Sequence, residues 1–171
     1  LEKTRDKWNE GARLHADTSG EVYKKFAHRI LQNLPESLKQ GKVLDLGCGD
    51  GVLTNLVSEQ KKDLEFYGCD FSDAYIKSAQ KIFLNINFKV VVGGQKLDYQ
   101  SNFFDVIYTH GVLQYIHPSN FSVFFSEIAR IARPGALVFH LDICDKAKFF
   151  GWFPKPTQGL RPAARFLFKG G

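Results

Sequence analysis

The chain has 171 residues, 44% of them hydrophobic and 24% charged, with a net charge of +5. That is the length of one domain with a buried core, and no apolar run approaches the ~20 residues that a membrane-spanning helix needs. The charge excess is local: residues 146–171 hold Lys146, Lys148, Lys155, Arg161, Arg165 and Lys169 and no acid, which leaves 17 basic against 18 acidic residues elsewhere. A tail of this modest density reads as solvated, although basic tails also meet anionic substrates, nucleic acids or membrane surfaces. The three cysteines, at 48, 69 and 144, fit neither a disulfide frame nor a zinc site, so no metal is expected. With no signal-type N-terminus, they read as the reduced thiols of a cytoplasmic protein.

In chain order, Val22, Phe26, Ile30 and Leu34 are spaced four apart, which predicts an amphipathic helix over 21–34, ended by Pro35. An apolar strand over 42–46 runs into glycines at 47, 49 and 51, and a helix follows over 52–60. Residues 65–69 form the next strand. Ser72 then caps a helix through 83, with Asp73 favouring the dipole in its first turn. Strands over 87–92 and 104–109, a helix over 118–132, a Pro134-Gly135 turn and a strand over 136–143 complete the pattern. Nearly continuous apolar strands separated by helices predict a parallel sheet covered on both faces. Right-handed crossovers bring the strands' carboxyl ends to one edge, collecting Asp45, Asp70, Gly93 and Thr109 there.

Strand, glycine loop and helix make the layout of a nucleotide site. The spacing here is G-x-G-x-G, and Val52 stands where a dinucleotide loop has its third glycine. Asp45, two residues before Gly47, suits a cationic or hydroxyl-bearing ligand better than a pyrophosphate. Asp70, nineteen residues after Gly51 at the end of the second strand, is placed to accept two hydrogen bonds from a ribose diol.

The run Val43-Leu44-Asp45-Leu46-Gly47-Cys48-Gly49-Asp50-Gly51 resembles the first motif of the class I S-adenosylmethionine-dependent methyltransferases, in particular the small-molecule branch called the type 11 methyltransferase domain. Leu97-Asp98-Tyr99 followed by Asn102-Phe103-Phe104-Asp105-Val106-Ile107 is similar to that family's approach to its fourth strand. Glu127-Ile128-Ala129-Arg130-Ile131-Ala132-Arg133-Pro134-Gly135 is similar to its segment before the fifth. The resemblance covers about residues 42–142. It implies a Rossmann-like α/β fold with strand order 3-2-1-4-5 and helices on both faces. Within one domain it divides the chain into an N-terminal lid and helix (1–41), a cofactor-binding core (42–143) and a basic aromatic tail (144–171). The family adds an antiparallel strand pair after strand five; residues 144–171 are too few and too rich in Pro and Gly, so that pair is expected to be absent or atypical. The tail's Phe149, Phe150, Trp152, Phe153, Phe166 and Phe168 call for burial against the sheet edge, a substrate pocket or a partner chain, which makes the tail a candidate oligomer contact.

The same resemblance implies S-adenosylmethionine as cofactor, S-adenosylhomocysteine as product and a small-molecule methyl acceptor. Asp70 would bind the ribose diol, Asp45 the methionine amino group directly or through water, and Gly47, Cys48 and Gly49 would wrap the amino-acid part. Phe71 is placed either on the adenine face or in the core. Where the family has Gly-Asp-Ala after strand three, this chain has Val92-Gly93-Gly94-Gln95-Lys96, so the amide of Gln95 or the backbone of Gly94 would serve the adenine. His110 is the candidate for a cofactor contact or general base, and His117 reads as the residue that starts a helix. Trp8 and His15 fall in a segment similar to the family's lid, and Tyr115 is a candidate for the substrate pocket. A base is needed only for a protonated acceptor. Two alternatives stand beside this reading. An RNA methyltransferase would suit the basic tail, but Thr109-His110-Gly111-Val112 is no base-flipping Asn-Pro-Pro-Tyr motif. A non-catalytic binding module gains weight from the missing acid after strand three.

Overall fold

The computed structural model describes residues 20–92, 96–141 and the backbone of 165–168. Its elements are α1 (Gly20–Leu31), β1 (Gly41–Leu46), α2 (Val52–Gln60), β2 (Leu64–Asp70), α3 (Asp73–Ile82), β3 (Asn87–Val90), β4 (Phe104–His110), α4 (Phe121–Ile131), β5 (Ala132–Leu141) and β6 (Arg165–Phe168). The strands form one sheet in the order β3-β2-β1-β4-β5-β6, and every pairing is parallel. The expected 3-2-1-4-5 order is therefore present. Beyond β5 the described residues give a single parallel strand, not an antiparallel pair.

Parity along the strands decides which side chain meets which helix. Val43, Val106, Tyr108, Phe139 and Leu141 lie on the face packed by Ala27 and Ile30 of α1, Val57 of α2 and Ile76 of α3. Leu44, Leu46, Cys69, Ile107 and Val138 lie on the opposite face with Ile128 and Ile131 of α4. Cys48 and Cys69 thus belong to clusters on opposite faces, as free thiols.

Several boundaries differ from the sequence expectation, each for a local reason. α1 ends at Leu31; Asn33 and Leu34 then donate to Ile30 and Leu31, tighter turns that still bury Leu34. The helix expected over 118–132 begins as a 3-10 turn, Pro118–Asn120, with the ring of His117 accepting from the Ser119 N–H, and only Phe121–Ile131 is α-helical. Pro134-Gly135 is not a turn before β5 but an irregularity within it. Phe104 pairs with Ala132 and Val106 with Leu137, so the extra residues are accommodated between two paired segments, with Gly135 at φ 82°. Ser72 caps α3 as expected, accepting from the Tyr75 N–H at 3.3 Å.

One ring props the end of the sheet. Phe88 of β3, 5% exposed, lies where a Cβ on Gly51 would come within 2.6 Å of its Cζ and a Cβ on Gly68 within 2.6 Å of its Cδ1. Gly68 also leaves room for the Cys48 sulfur, 2.9 Å from that same Cβ position. Gly68→Ala should therefore cost about 1–3 kcal/mol of stability, read as a lower urea midpoint with an unchanged slope. A neutral midpoint would show that Phe88 can retreat.

Candidate cofactor site

The site is built where β1 turns over the end of β2. The N–H groups of Gly47 and Cys48 both donate to the Cys69 carbonyl, at 2.7 and 3.1 Å, which hooks the glycine loop onto the neighbouring strand. Gly47 makes this turn at φ 90°, and a Cβ there would lie 2.3 Å from Val112 Cγ2. Two residues on, Gly49 sits at φ 55° with no atom of the described residues within 4 Å of its Cβ position.

That loop brings a backbone donor to Asp70. Asp70 Oδ2 accepts from the Gly49 N–H at 3.0 Å and Oδ1 from the Ser72 N–H at 2.9 Å. The carboxylate is 7% exposed and fixed in orientation, with lone pairs left for a ligand. Burial raises its pKa, and the N–H bonds from Ser72 and Gly49 oppose that rise. A rigid acceptor pair at the carboxyl edge, beside the glycine loop, fits the diol of a nucleoside ribose.

Asp45 is on the neighbouring strand and more deeply set, at 1% exposure. Its Oδ2 accepts from Thr54 Oγ1 at 2.7 Å and from Tyr108 Oη at 3.0 Å. Neither partner was foreseen from sequence. Thr54 lies nine residues on, in the first turn of α2, and Tyr108 becomes visible only once the β1–β4 register places it directly across from Asp45. Burial pushes the Asp45 carboxyl up to about 7; the two hydroxyls oppose this and the nearby Asp70 charge adds to it. Burial, followed by the Asp45 charge, also raises Cys48, so its sulfur is a thiol packed under the loop and not a nucleophile.

Phe71 follows Asp70 at the rim and is half-buried. His110 ends β4 on the same face as Asp45, its ring 4.2 Å from that of Phe26 on α1. Thr109, expected at the rim, is turned to the other face by parity. It is fully buried, 2.8 Å from His140 Nδ1. Tyr115, in the short 3-10 turn Leu113–Tyr115 beyond β4, is 56% exposed. Trp8, His15, Gly94 and Gln95 lie outside the described residues, as do Gly93, Cys144 and the tail aromatics Phe149, Phe150, Trp152 and Phe153.

Strand order, helices on both faces and a glycine loop at the carboxyl edge define a Rossmann-like α/β domain. The methyltransferase domain family matches residues 43–135, more than half of the chain, and the chain belongs to that family. An uncharacterized methyltransferase of Schizosaccharomyces pombe is 37% identical over 99 residues, covering 54% of this chain and 36% of that protein. The ubiquinone biosynthesis O-methyltransferase of Agrobacterium fabrum is 31% identical over 117 residues, covering 66% of this chain and 42% of its own length. The chain thus spans well under half of these relatives. Among solved structures, Haemonchus contortus phosphoethanolamine N-methyltransferase 1 superposes with TM-score 0.64 at 20% identity, over 79% of this chain and 30% of that one. A TehB-like S-adenosylmethionine-dependent methyltransferase from Corynebacterium glutamicum gives 0.54 at 23%, over 78% and 67%. These two likenesses speak for the fold. No helix among the described residues is long and apolar enough to cross a membrane.

The buried Asp45 has a measurable consequence. The folded chain keeps a proton that the unfolded chain releases near the ordinary carboxylate pKa of 3.8, so this group's contribution to stability declines as pH rises from about 4 to 7 and is flat above. Asp45→Asn should remove that decline. Between pH 5 and 8 the urea stability of the wild type should fall relative to the variant by about 2 kcal/mol, and equal pH profiles would contradict the assignment.

Proposed function

We propose that this chain is the S-adenosylmethionine-binding core of a methyltransferase acting on a small-molecule acceptor. The observation that carries the proposal is the Asp70 carboxylate, locked by the Gly49 and Ser72 N–H groups at the rim of the sheet. Membership of the methyltransferase domain family supports the reaction class. The acceptor class is supported by the Agrobacterium relative named for ubiquinone biosynthesis and the Haemonchus structure holding phosphoethanolamine.

When bound, the cofactor supplies a sulfonium whose methyl group is already electrophilic. The protein's part is to hold the partners in line and to exclude water. Asp70 binds the ribose hydroxyls. Gly47, Cys48 and Gly49 wrap the amino-acid end. Asp45 favours the cationic groups by its charge from beneath the loop, and its ionised form gains from a cation above it. Phe71 covers the adenine, and Gly94 and Gln95 take the place of the acid that the family carries after strand three. His110, half-buried against Phe26, borders the acceptor side and acts as general base only toward a hydroxyl or ammonium acceptor. Trp8 and His15 belong to a lid, and Tyr115 lines the acceptor approach. A cytoplasmic setting and self-association through the tail complete the reading.

Calorimetry with S-adenosylhomocysteine should give micromolar binding that Asp70→Ala weakens by about tenfold or more, as expected when buried hydroxyls lose their acceptor. Absence of heat from the wild type would favour a non-catalytic module instead. Affinity for tRNA falling steeply with salt would favour an RNA acceptor over a small molecule.

A further inference from the structure

The chain leaves β3 at Val90 and must cross the α4 face to reach β4 at Phe104. The described residues of this crossover form no helix or strand of their own. At Leu97 and Tyr99 a side-chain pair on α4 takes up the backbone groups. Glu127 Oε1 accepts from the Leu97 N–H at 2.6 Å. Arg130 donates from Nη2 to the Leu97 carbonyl at 2.9 Å and from Nη1 to the Tyr99 carbonyl at 2.8 Å. Arg130 Nε donates to Glu127 Oε2 at 2.8 Å, so the two side chains also fix each other.

The crossover held this way touches the cofactor site twice. At its start the Val91 N–H donates to the Asp70 carbonyl at 2.9 Å. Further on, Leu97 (9% exposed) shares the buried cluster with Leu46 and Cys69, the ends of β1 and β2, and Tyr99 packs against the same cluster. Cys69 is both the residue before Asp70 and the carbonyl on which Gly47 and Cys48 hang. A displaced Leu97 would leave the α4 face of this strand end, at the residue before Asp70, without support.

We propose that Glu127 and Arg130 are positioning residues for Asp70, acting through Leu97 and Tyr99 on the end of β2. The proposal rests on the cofactor reading above. A role confined to folding would lower the melting temperature and weaken all ligands alike. A positioning role must alter the discrimination that Asp70 exerts on the ribose. Lysine in place of Arg130 keeps the charge but gathers its donors on a single nitrogen and loses the planar fork that spans two carbonyls.

The test is calorimetry of the whole chain with S-adenosylhomocysteine and its 2′-deoxyribose analogue. The wild type should prefer the ribose compound by about tenfold, and Arg130→Lys and Glu127→Gln should each reduce that preference below about threefold with little change in affinity for the deoxy compound. Asp70→Ala gives the reference for lost discrimination. A preference retained in both variants, whatever their melting temperatures, overturns this proposal alone. So does the failure of both variants to fold, which would make the pair a folding element. A wild type that binds both compounds equally removes the ribose role of Asp70, and one that binds neither removes the cofactor reading itself.

Discussion

The carbonyl of Cys69 is the point on which the site hangs. It takes the N–H groups of Gly47 and Cys48 together, and so folds the end of β1 across the end of β2. Those two hydrogen bonds fix the loop on the neighbouring strand, and one residue further on the Gly49 N–H donates to Asp70. Gly47 turns against Val112, while Gly51 and Gly68 make room for the ring of Phe88 beneath. A strand end, a carbonyl and a buried ring therefore set the geometry before any ligand arrives.

The electrostatics follow from the same compression. Two carboxylates stand on adjacent strand ends, both nearly excluded from water, and among the described residues neither forms an ion pair. Burying unpaired charge is costly, and the compensation here is partial: two hydroxyls for Asp45 and backbone N–H groups, those of Gly49 and Ser72 among them, for Asp70. Each carboxyl is accordingly pushed up from its ordinary value, chiefly by burial. Such a pair is poorly matched to a pyrophosphate and well matched to a ligand that brings hydroxyls and positive charge. This is the physical content of the G-x-G-x-G spacing with an acid before it.

Much of this was legible in the sequence because it is local. The strand–loop–helix run around Gly47, the acid at the end of β2 and the Ser72 cap each lie within a few residues of the feature they predict. What escaped depends on register. Tyr108 and Thr54 hold Asp45, but nothing near Asp45 in the chain announces them; the contact exists because β4 sits beside β1 with Tyr108 opposite Asp45. Thr109 was expected at the rim from its distance along the strand, and a shift of one residue in parity sends it to the other face. Pro134-Gly135 looked like a turn by composition, yet a parallel strand absorbs both residues as an irregularity. The Glu127–Arg130 pair was visible as a motif, but its contacts to Leu97 and Tyr99 appear only once the crossover from β3 is laid against α4.

Parity also separates the two histidines at this edge. His140 points to the α4 face, fully buried beside Thr109 and edge-on to Phe125, and burial lowers its pKa to about 4. It is a neutral packing residue at physiological pH, and charging it would cost the fold before it could serve any reaction. His110, at the last position of its strand and on the opposite face, lies against Phe26 of α1 and is only half-buried. It shares its face with Asp45 and with the helices that carry the glycine loop. Of the two imidazoles, only His110 stands at the end of its strand short of full burial, and its ring packs on Phe26 of α1.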